Sequence, residues 1–262
     1  TDMFRKLLNM QGNINPVFAL LIDHPLSEVR IAEAENRIAQ LKKRQDSTNP
    51  DFFMAKARID VRYKKNDFAD LKEVLKNDLK ANRYYKNYAL ALTCFELNEF
   101  KEAKTYLNNL GANMQNNLFV VDLLTDIDLK EHAYQSAINR LNGLYKRMPR
   151  NKAVVVNLAN AYIQSGQNKS AIRIIRDYLK RDRSYPLSYT LLTEAYLKSG
   201  NRCEALQSQG EDYALKANYN RAIGSYNEAL NVCRNNLTVE IIKARVSELI
   251  EQRAFDAELN KS

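Results

Sequence analysis

Residues 158–171, LANAYIQSGQNKSA, and residues 192–205, LTEAYLKSGNRCEA, follow one pattern and begin 34 positions apart. In both stretches a leucine is followed by a tyrosine, a glycine and finally an alanine at the same intervals. The closing alanine recurs at a constant spacing of 34 residues as Ala69, Ala103, Ala137, Ala171 and Ala205. We interpret this spacing as a structural unit repeated head to tail, so the chain is a repeat array.

The pattern resembles the tetratricopeptide repeat, a helix–turn–helix unit of this length. The alanine is expected where the second helix of a unit crosses the first, because a larger side chain would hold the axes apart. The glycine is expected where the first helix ends in a left-handed residue. Repeat one matches worst, with Lys56, Asp60 and Lys64 at the leucine, tyrosine and glycine positions.

The composition agrees with an all-α fold. Hydrophobic residues make up 45% of the chain, with only 7 glycines and 5 prolines, which suits long helices joined by short turns. We predict a tetratricopeptide repeat superhelix of about five to six helix pairs, preceded by two extra helices. The sixth pair is expected to begin near Tyr219, and a last helix from Leu237 to about Phe255 is expected to cap the array.

A domain boundary is predicted after the two extra helices. One of them spans residues 1–10 and the other about 27–44, and neither follows the 34-residue spacing. The polar run 45–50 ends in Asn49-Pro50, a typical helix start. We therefore predict one domain over 1–45 and a repeat domain with a C-terminal capping helix over 46–262. Because the chain opens on Thr1 without an initiator methionine, we interpret it as an excised or processed fragment.

The chain is basic, with 40 Lys and Arg against 31 Asp and Glu, a net charge of +9. This balance favours an acidic partner, nucleic acid or anionic lipid at low salt. The densest basic stretch is expected on one side of the second helix of repeat four, at Arg173, Arg176, Lys180 and Arg183. No aromatic side chains are interleaved with these charges, as single-strand binding would want, so a solvated face is the simpler interpretation. A basic repeat protein that binds RNA is the weaker alternative, and peripheral membrane association stays open.

The head of the chain resembles a known protease family. The stretch Asp23-His24-Pro25-Leu26-Ser27-Glu28-Val29-Arg30, followed by Glu33-Ala34-Glu35-Asn36-Arg37, is similar to a segment late in the catalytic domain of the periplasmic β-barrel assembly-enhancing proteases. In that family a zinc metallopeptidase domain with an H-E-x-x-H motif precedes a tetratricopeptide repeat domain. Residues 1–45 would then be the terminal helices and His-Pro loop of the protease domain. The resemblance implies a periplasmic location, zinc in the full-length parent, and partners among the outer-membrane β-barrel assembly machinery and client barrel proteins.

The fragment itself is predicted to be non-catalytic. Zinc peptidase chemistry needs two histidines one helical turn apart and a glutamate beside the first, whereas this chain has two histidines in all, His24 and His132, and no H-E-x-x-H. We therefore predict no cofactor in the fragment and a zinc metalloendopeptidase as the parent. His132 stands in a glycine position and has a structural interpretation. His24 is the candidate for a reversible zinc ligand in the parent, and the alternative is that it only caps the following helix or packs under Pro25.

The predicted function is a protein-interaction domain that recruits substrates or docks on the assembly machinery. A freestanding tetratricopeptide scaffold or chaperone adaptor is the alternative. In this repeat class the first helices line a concave groove, and aromatic residues facing acidic ones suit an extended segment with a basic residue. The predicted groove residues are Tyr85, Tyr88, Phe95, Phe119, Asp122, Asp126, Val156, Asn160, Ile163, Thr190, Glu194 and Leu197. A competing explanation is that Tyr85 and Tyr88 pack against the head helices.

The three cysteines divide into a pair and a single residue. Cys203 is expected at the start of one helix and Cys233 at the end of the next, and consecutive helices run antiparallel, so the two sulfurs should be neighbours. In an oxidising periplasm they would form a disulfide worth roughly 3 kcal/mol on the chain-entropy model. Cys94 takes an aromatic position of repeat two and is expected to stay buried and reduced. Three unpaired core cysteines are the alternative.

Overall fold

The computed structural model describes residues 49–63 and 67–259, together with Ala32, Glu33, Glu35–Arg37 and Ala39. Two compact units divide the chain, residues 1–49 and residues 50–262. In the first unit the six described residues between 32 and 39 are helical, within the range predicted for the second extra helix. The other predicted features of this unit, including the helix over 1–10 and the His24-Pro25 loop, lie outside the described residues.

The second unit is a row of antiparallel helices. Over residues 49–63 and 67–259 it contains twelve α-helices and one 3-10 turn, Ala112–Met114, and no β-strand. The helices are α1 Pro50–Tyr63, α2 Phe68–Asn77, α3 Arg83–Glu96, α4 Phe100–Asn108, α5 Leu118–Lys130, α6 Tyr134–Arg147, α7 Lys152–Gln164, α8 Asn168–Leu179, α9 Pro186–Lys198, α10 Arg202–Leu215, α11 Tyr219–Val232 and α12 Asn236–Leu259. All regular elements over these residues are helical, which confirms the all-α prediction. None of these helices is long and apolar enough to cross a membrane.

Four of the five repeated alanines lie at helix contacts, as expected. Ala103, Ala137, Ala171 and Ala205 are at most 1% exposed. Each is the fourth residue of its helix, and its backbone N–H donates to the carbonyl of the capping residue four positions earlier. Ala222 has the same place and the same bond in α11. At this point a methyl group lets the preceding helix approach closely, and this repeated contact sets the spacing of the array.

The prediction for the fifth alanine, Ala69, was wrong. Ala69 is exposed and is only the second residue of α2. The Asp67 side chain caps this helix by accepting a hydrogen bond from the Ala69 N–H, and Leu71 takes the buried fourth position. Because the cap fixes where the helix starts, repeat one is shifted by two residues relative to the alanine spacing.

The turns within the later helix pairs use left-handed residues. Gly166 and Gly200 have φ angles of 78° and 76°, which confirms the predicted role of the repeat glycine. His132 adopts the same conformation with φ 58°, so its structural interpretation holds. Its Nδ1 lies 2.7 Å from the hydroxyl of Tyr134.

The core is distributed along the array. One cluster of buried apolar side chains extends from α1 to α5, a second from α5 to α10 and a third from α10 to α12. Helix α7 contacts the first helices on both sides, α5 and α9, as well as α6 and α8. Such an array has interfaces between neighbours rather than one central core.

Candidate partner-binding surface

Three predicted groove residues, Tyr88, Phe119 and Asp122, meet around Arg58 of α1. Arg58 Nη2 lies 2.6 Å from Asp122 Oδ2 and also donates to the Tyr88 hydroxyl. The guanidinium carbon lies 5.1 Å from the centroid of the Phe119 ring. On the other side of Asp122, the Asn157 amide donates to Oδ1 over 2.6 Å. First helices from four successive repeats thus share one polar network.

Arg58 is held firmly in this network. Burial disfavours its charged form, but Tyr88 and Asp122 outweigh that effect, so the pKa of Arg58 is raised. Burial also raises the pKa of Tyr88 to about 12, which keeps its hydroxyl protonated. The Arg58 guanidinium thus lies between two aromatic rings and a carboxylate of its own chain, and this network is already satisfied.

Tyr85 forms a second, smaller cluster with α1. Its hydroxyl donates to Asp60 Oδ2 over 2.8 Å, and Lys56 Nζ lies 2.7 Å from the same oxygen. The Lys56 ammonium also sits 4.5 Å from the centroid of the Tyr85 ring. Burial, followed by the bond to Asp60, raises the pKa of Tyr85 to about 12. The competing prediction, that Tyr85 and Tyr88 pack against the head helices, concerns residues outside those that the structure describes.

Asp126, one helical turn after Asp122, is a half-buried acid on this surface. No hydrogen bond or ion pair joins it to another described residue. Burial raises its pKa to about 6, the charge of Asp122 adds to this, and Arg58, Arg62 and Lys130 offset it only in part.

Three of the twelve predicted groove residues are buried and do not line a surface. Tyr88 is 0%, Val156 7% and Ile163 2% exposed. Val156 and Ile163 belong to α7, which is covered by four neighbouring helices, so positions that face inward in a looser array are closed here. These three side chains pack in the core beneath the surface and are not accessible to a partner.

The remaining predicted residues do not join the Arg58 network. Phe95 is half-buried against Phe100, and the Asn160 side chain accepts from Gln164 within α7. In α9, Thr190 donates to Asp212 over 3.2 Å and Glu194 pairs with Lys198 over 2.8 Å. Leu197 is exposed.

A cleft of about 550 Å³ between α9, α10, α11 and α12 is a feature that the sequence reasoning missed. Its lining comprises Arg183, Tyr189, Gln207, Ser208, Glu211, Leu215, Tyr226, Ile241, Ile242, Arg245 and Glu248. Glu211 binds Arg245 through both carboxylate oxygens at 2.9 Å and accepts from the Tyr226 hydroxyl. The available signal was Gly210 inside a helical pattern, which often marks a close approach. A Cβ at Gly210 would lie 2.6 Å from the Tyr226 ring.

The structure pairs Cys203 with Cys233 in a disulfide between α10 and the end of α11, as the sequence predicts. The sulfur atoms are 1.98 Å apart and the Cα atoms 5.1 Å apart. Cys94 is buried and free, also as predicted, and burial raises the pKa of its thiol to about 12.

One group of described residues has metal-ligand chemistry but does not fit a metal ion. The ligand atoms of Cys94, Glu99 and Glu102 lie within 4.8 Å of one another. The ammonium of Lys72 already binds both carboxylates, with 2.8 Å to Glu102, and these bonds raise the pKa of Lys72. Because Lys72 supplies the cation and the Cys94 thiol stays protonated, this cluster is structural. His24, the predicted zinc ligand, lies outside the described residues.

The all-helical fold is that of a tetratricopeptide repeat array. A family model described as "Tetratricopeptide repeat" matches residues 128–195. The chain is also homologous to the beta-barrel assembly-enhancing proteases, which confirms the predicted family resemblance. It is 36% identical over 125 residues to the beta-barrel assembly-enhancing protease of Escherichia coli K12, covering 46% of this chain and 26% of that protein. The corresponding protease of Yersinia pestis is 28% identical over 142 residues, with 53% and 29% covered.

A longer match extends over most of the chain. The putative beta-barrel assembly-enhancing protease of Vibrio cholerae is 29% identical over 239 residues, which is 89% of this chain and 49% of the relative. The chain therefore spans between about a quarter and a half of the curated relatives it matches. Among solved structures, a tetratricopeptide repeat protein from Parabacteroides merdae has a TM-score of 0.45 at 13% identity, with 95% of this chain and 100% of that one covered. The protein titled MamA MSR-1 C2 has a TM-score of 0.45 at 15% identity, with 64% and 96% covered.

Proposed function

We propose that this chain is the non-catalytic interaction part of a periplasmic zinc metalloprotease, which recruits client barrel proteins or docks on the outer-membrane β-barrel assembly machinery. The homology to proteins named as beta-barrel assembly-enhancing proteases supports the class of parent. The Cys203–Cys233 disulfide favours an oxidising compartment. The 262 residues contain no H-E-x-x-H, so we place the proteolytic motif of the parent outside this chain.

The observation that carries the binding mode is the half-buried, unpaired carboxylate of Asp126 beside the Arg58 network. Arg58 already occupies the space between Tyr88, Phe119 and Asp122, so a partner does not need to enter there. A partner's Lys or Arg side chain would pair with Asp126 instead, and desolvation would strengthen that ion pair. We therefore assign Asp126 as the recognition point for a basic residue in an extended partner segment.

Site-specific photo-crosslinking in cells tests this assignment. A photoreactive residue at exposed Lys130, one turn beyond Asp126, should capture a barrel client or an assembly-machinery subunit, and Asp126→Lys should abolish that product. The matched control places the same probe at exposed Glu73 in α2, where no specific product is expected. An unchanged product in Asp126→Lys would reject the Asp126 site, while a product set without envelope proteins would reject the proposed function.

A freestanding scaffold is the second candidate, because the 36% match covers only 26% of the Escherichia coli relative. The gene sequence preceding Thr1 separates the two candidates. An upstream H-E-x-x-H motif with a third acidic ligand supports the protease parent, and its absence supports the scaffold.

For the protease parent we also propose that His24 acts as a reversible fourth zinc ligand that keeps the enzyme latent. His24→Ala in the full-length protein should raise self-cleavage without lowering the zinc content, since three other ligands remain. An unchanged rate, with a zinc–imidazole distance too long for coordination, would end this proposal.

A further inference from the structure

The positive charge of this chain is concentrated in one stretch. Residues 132–183 contain eleven Lys or Arg and two acidic residues, Asp177 and Asp182, which is a net charge of +9 and equals that of the whole chain. The other 210 residues contain 29 basic and 29 acidic side chains. No Asp or Glu occurs between Glu131 and Asp177. Such segregation goes beyond the solvated helix face that the local spacing of Arg173, Arg176, Lys180 and Arg183 suggested.

Most of these charges lie at one end of the helices α6, α7 and α8. The end of α6, the start of α7 and the end of α8 come together because the three helices are antiparallel, and a shared cleft of about 470 Å³ joins Arg150 with Arg181 there. We call this end the basic edge. Its seven cations are Lys146, Arg147, Arg150, Lys152, Lys180, Arg181 and Arg183, all exposed.

The cations of the basic edge are largely available to a ligand. Lys146, Arg150, Arg181 and Arg183 form no ion pair with any described residue, whereas Lys180 pairs with Asp177 over 2.7 Å. Asp182 also lines the cleft, but its carboxylate accepts from Ser184 and Tyr178. These bonds lower the pKa of Asp182 to about 2, so its carboxylate stays charged. It offsets part of the positive charge of Arg150 and Arg181, which line the same cleft. Two helix C-termini at this edge favour some basic residues, yet the dipole effect is confined to the last turn and explains only part of the set.

The surface around the basic edge lacks the anchors of a specific protein interface. Across residues 132–186, all of which are described, no large hydrophobic side chain is exposed, and the next residue, Leu187, is 41% exposed. Protein interfaces depend on a few buried aromatic or aliphatic anchors, so a protein partner would have little to hold here. No Phe or Tyr ring between residues 132 and 183 is exposed, so the stretch offers no open stacking platform for single-stranded nucleic acid. A surface of diffuse negative charge needs neither feature, because each Lys or Arg contributes independently near such a surface.

We propose that the basic edge docks the array on an anionic phospholipid surface, with lipid phosphates bound by Arg150 and Arg181 and the neighbouring cations adding long-range attraction. The contact is peripheral and electrostatic. It orients the array with the ends of α6 and α8 toward the lipid. This inference is independent of the proposed protease parent, because it rests on the described residues 132–183 alone.

Vesicle flotation with the 262-residue chain tests the proposal. Wild type should float with vesicles of phosphatidylcholine plus phosphatidylglycerol, stay behind with phosphatidylcholine alone, and be released by salt. The triple variant Lys146→Glu, Arg150→Glu and Arg181→Glu should partition at least roughly tenfold less, given about 1 kcal/mol per basic residue. The matched control is Lys80→Glu, Lys101→Glu and Arg234→Glu, which changes the net charge equally at exposed residues outside the stretch.

Three results would overturn the proposal. Equal losses in the two triple variants would show that only net charge matters. Failure of wild type to float with anionic vesicles at low salt would exclude lipid docking. Unchanged flotation of the edge variant, with lost binding to a short RNA in a parallel filter assay, would assign the edge to nucleic acid. Circular dichroism of all three proteins before the assay establishes that each is folded.

Discussion

Gly210 allows Tyr226 to line the cleft between α9, α10, α11 and α12, which we call the C-terminal cleft. In α10 it lets the Tyr226 ring approach the backbone, and an added Cβ would lie 2.6 Å from that ring. The ring is 4% exposed and tied to Glu211, so it has little room to move. We expect Gly210→Ala to lower the free energy of unfolding by about 1–3 kcal/mol through overpacking, as measured by urea denaturation.

Gly224 is the matched control for this substitution. It also lies inside a helix, α11, but a Cβ there would meet nothing within 4 Å. Gly224→Ala should therefore raise the free energy of unfolding by about 0.5–1 kcal/mol through helix propensity alone. Stabilisation by both substitutions would mean that the Tyr226 contact is unimportant.

Asp126 gives the molecule a pH dependence whose sign can be stated. Its pKa is raised from 3.8 to about 6 in the folded state, so the folded state holds this proton more tightly than the unfolded state. The associated stability is fully present below pH 3.8 and is lost as pH rises through about 6. Asp126→Asn should therefore be more stable than wild type at neutral pH.

The difference between the two proteins should shrink as the pH falls. Thermal unfolding followed at several pH values measures it, and only the difference counts, because other groups titrate in both proteins. A constant difference across this range would show that Asp126 is well solvated. Glu194→Gln, which removes a surface carboxylate paired with Lys198, serves as the control, because exposed ion pairs contribute little to stability.

At the scale of helices, the disulfide ties α10 to the end of α11. Closing a loop with a sequence separation of 30 should contribute roughly 3 kcal/mol to stability. Alkylation of the denatured, non-reduced protein should modify only Cys94, and the double variant Cys203→Ser, Cys233→Ser should lose about this stability. Three alkylated cysteines in protein prepared without reductant would refute the pairing, and Cys94→Ser provides the control that leaves the pair intact.

The helix pairs were predictable because one contact repeats. A small residue is needed at the fourth position of α4, α6, α8 and α10, the second helices of repeats two to five. The sequence places an alanine at each of these positions, Ala103, Ala137, Ala171 and Ala205. The start of α2 was not predictable from the spacing, since the cap at Asp67 decides it locally.

The candidate surface was predictable only in outline. First-helix positions placed Tyr88, Phe119 and Asp122 together, but their partner Arg58 is 64 residues from Asp122 and follows no motif. Burial of Val156 and Ile163 depends on how closely α5 and α9 approach α7, which a single repeat does not encode. The C-terminal cleft likewise needs four helices to be placed before it exists.

For the array from α1 to α12, three successive cores predict that stability is local. Leu141 belongs to the middle core and Leu249 to the last, and both are fully buried. In a nearest-neighbour array, Leu249→Ala should raise hydrogen exchange in α10, α11 and α12 while α3 to α8 keep their protection. Leu141→Ala should cost about 2–5 kcal/mol and weaken the middle helices. Uniformly faster exchange in both variants would mean that the array unfolds as one cooperative unit.

The buried alanines of α4, α6, α8, α10 and α11 each fix the packing of two neighbouring helices, one after another along the array. Each fixes one angle between neighbouring helices, and nothing beyond the next repeat corrects that angle. A single added methyl group at Ala171 would tilt every helix that follows, and the displacement would grow with distance along the array. Substitutions at residues that touch neither Asp126 nor the C-terminal cleft can therefore change the distance between them. That distance can evolve while the side chains that form the two surfaces stay the same.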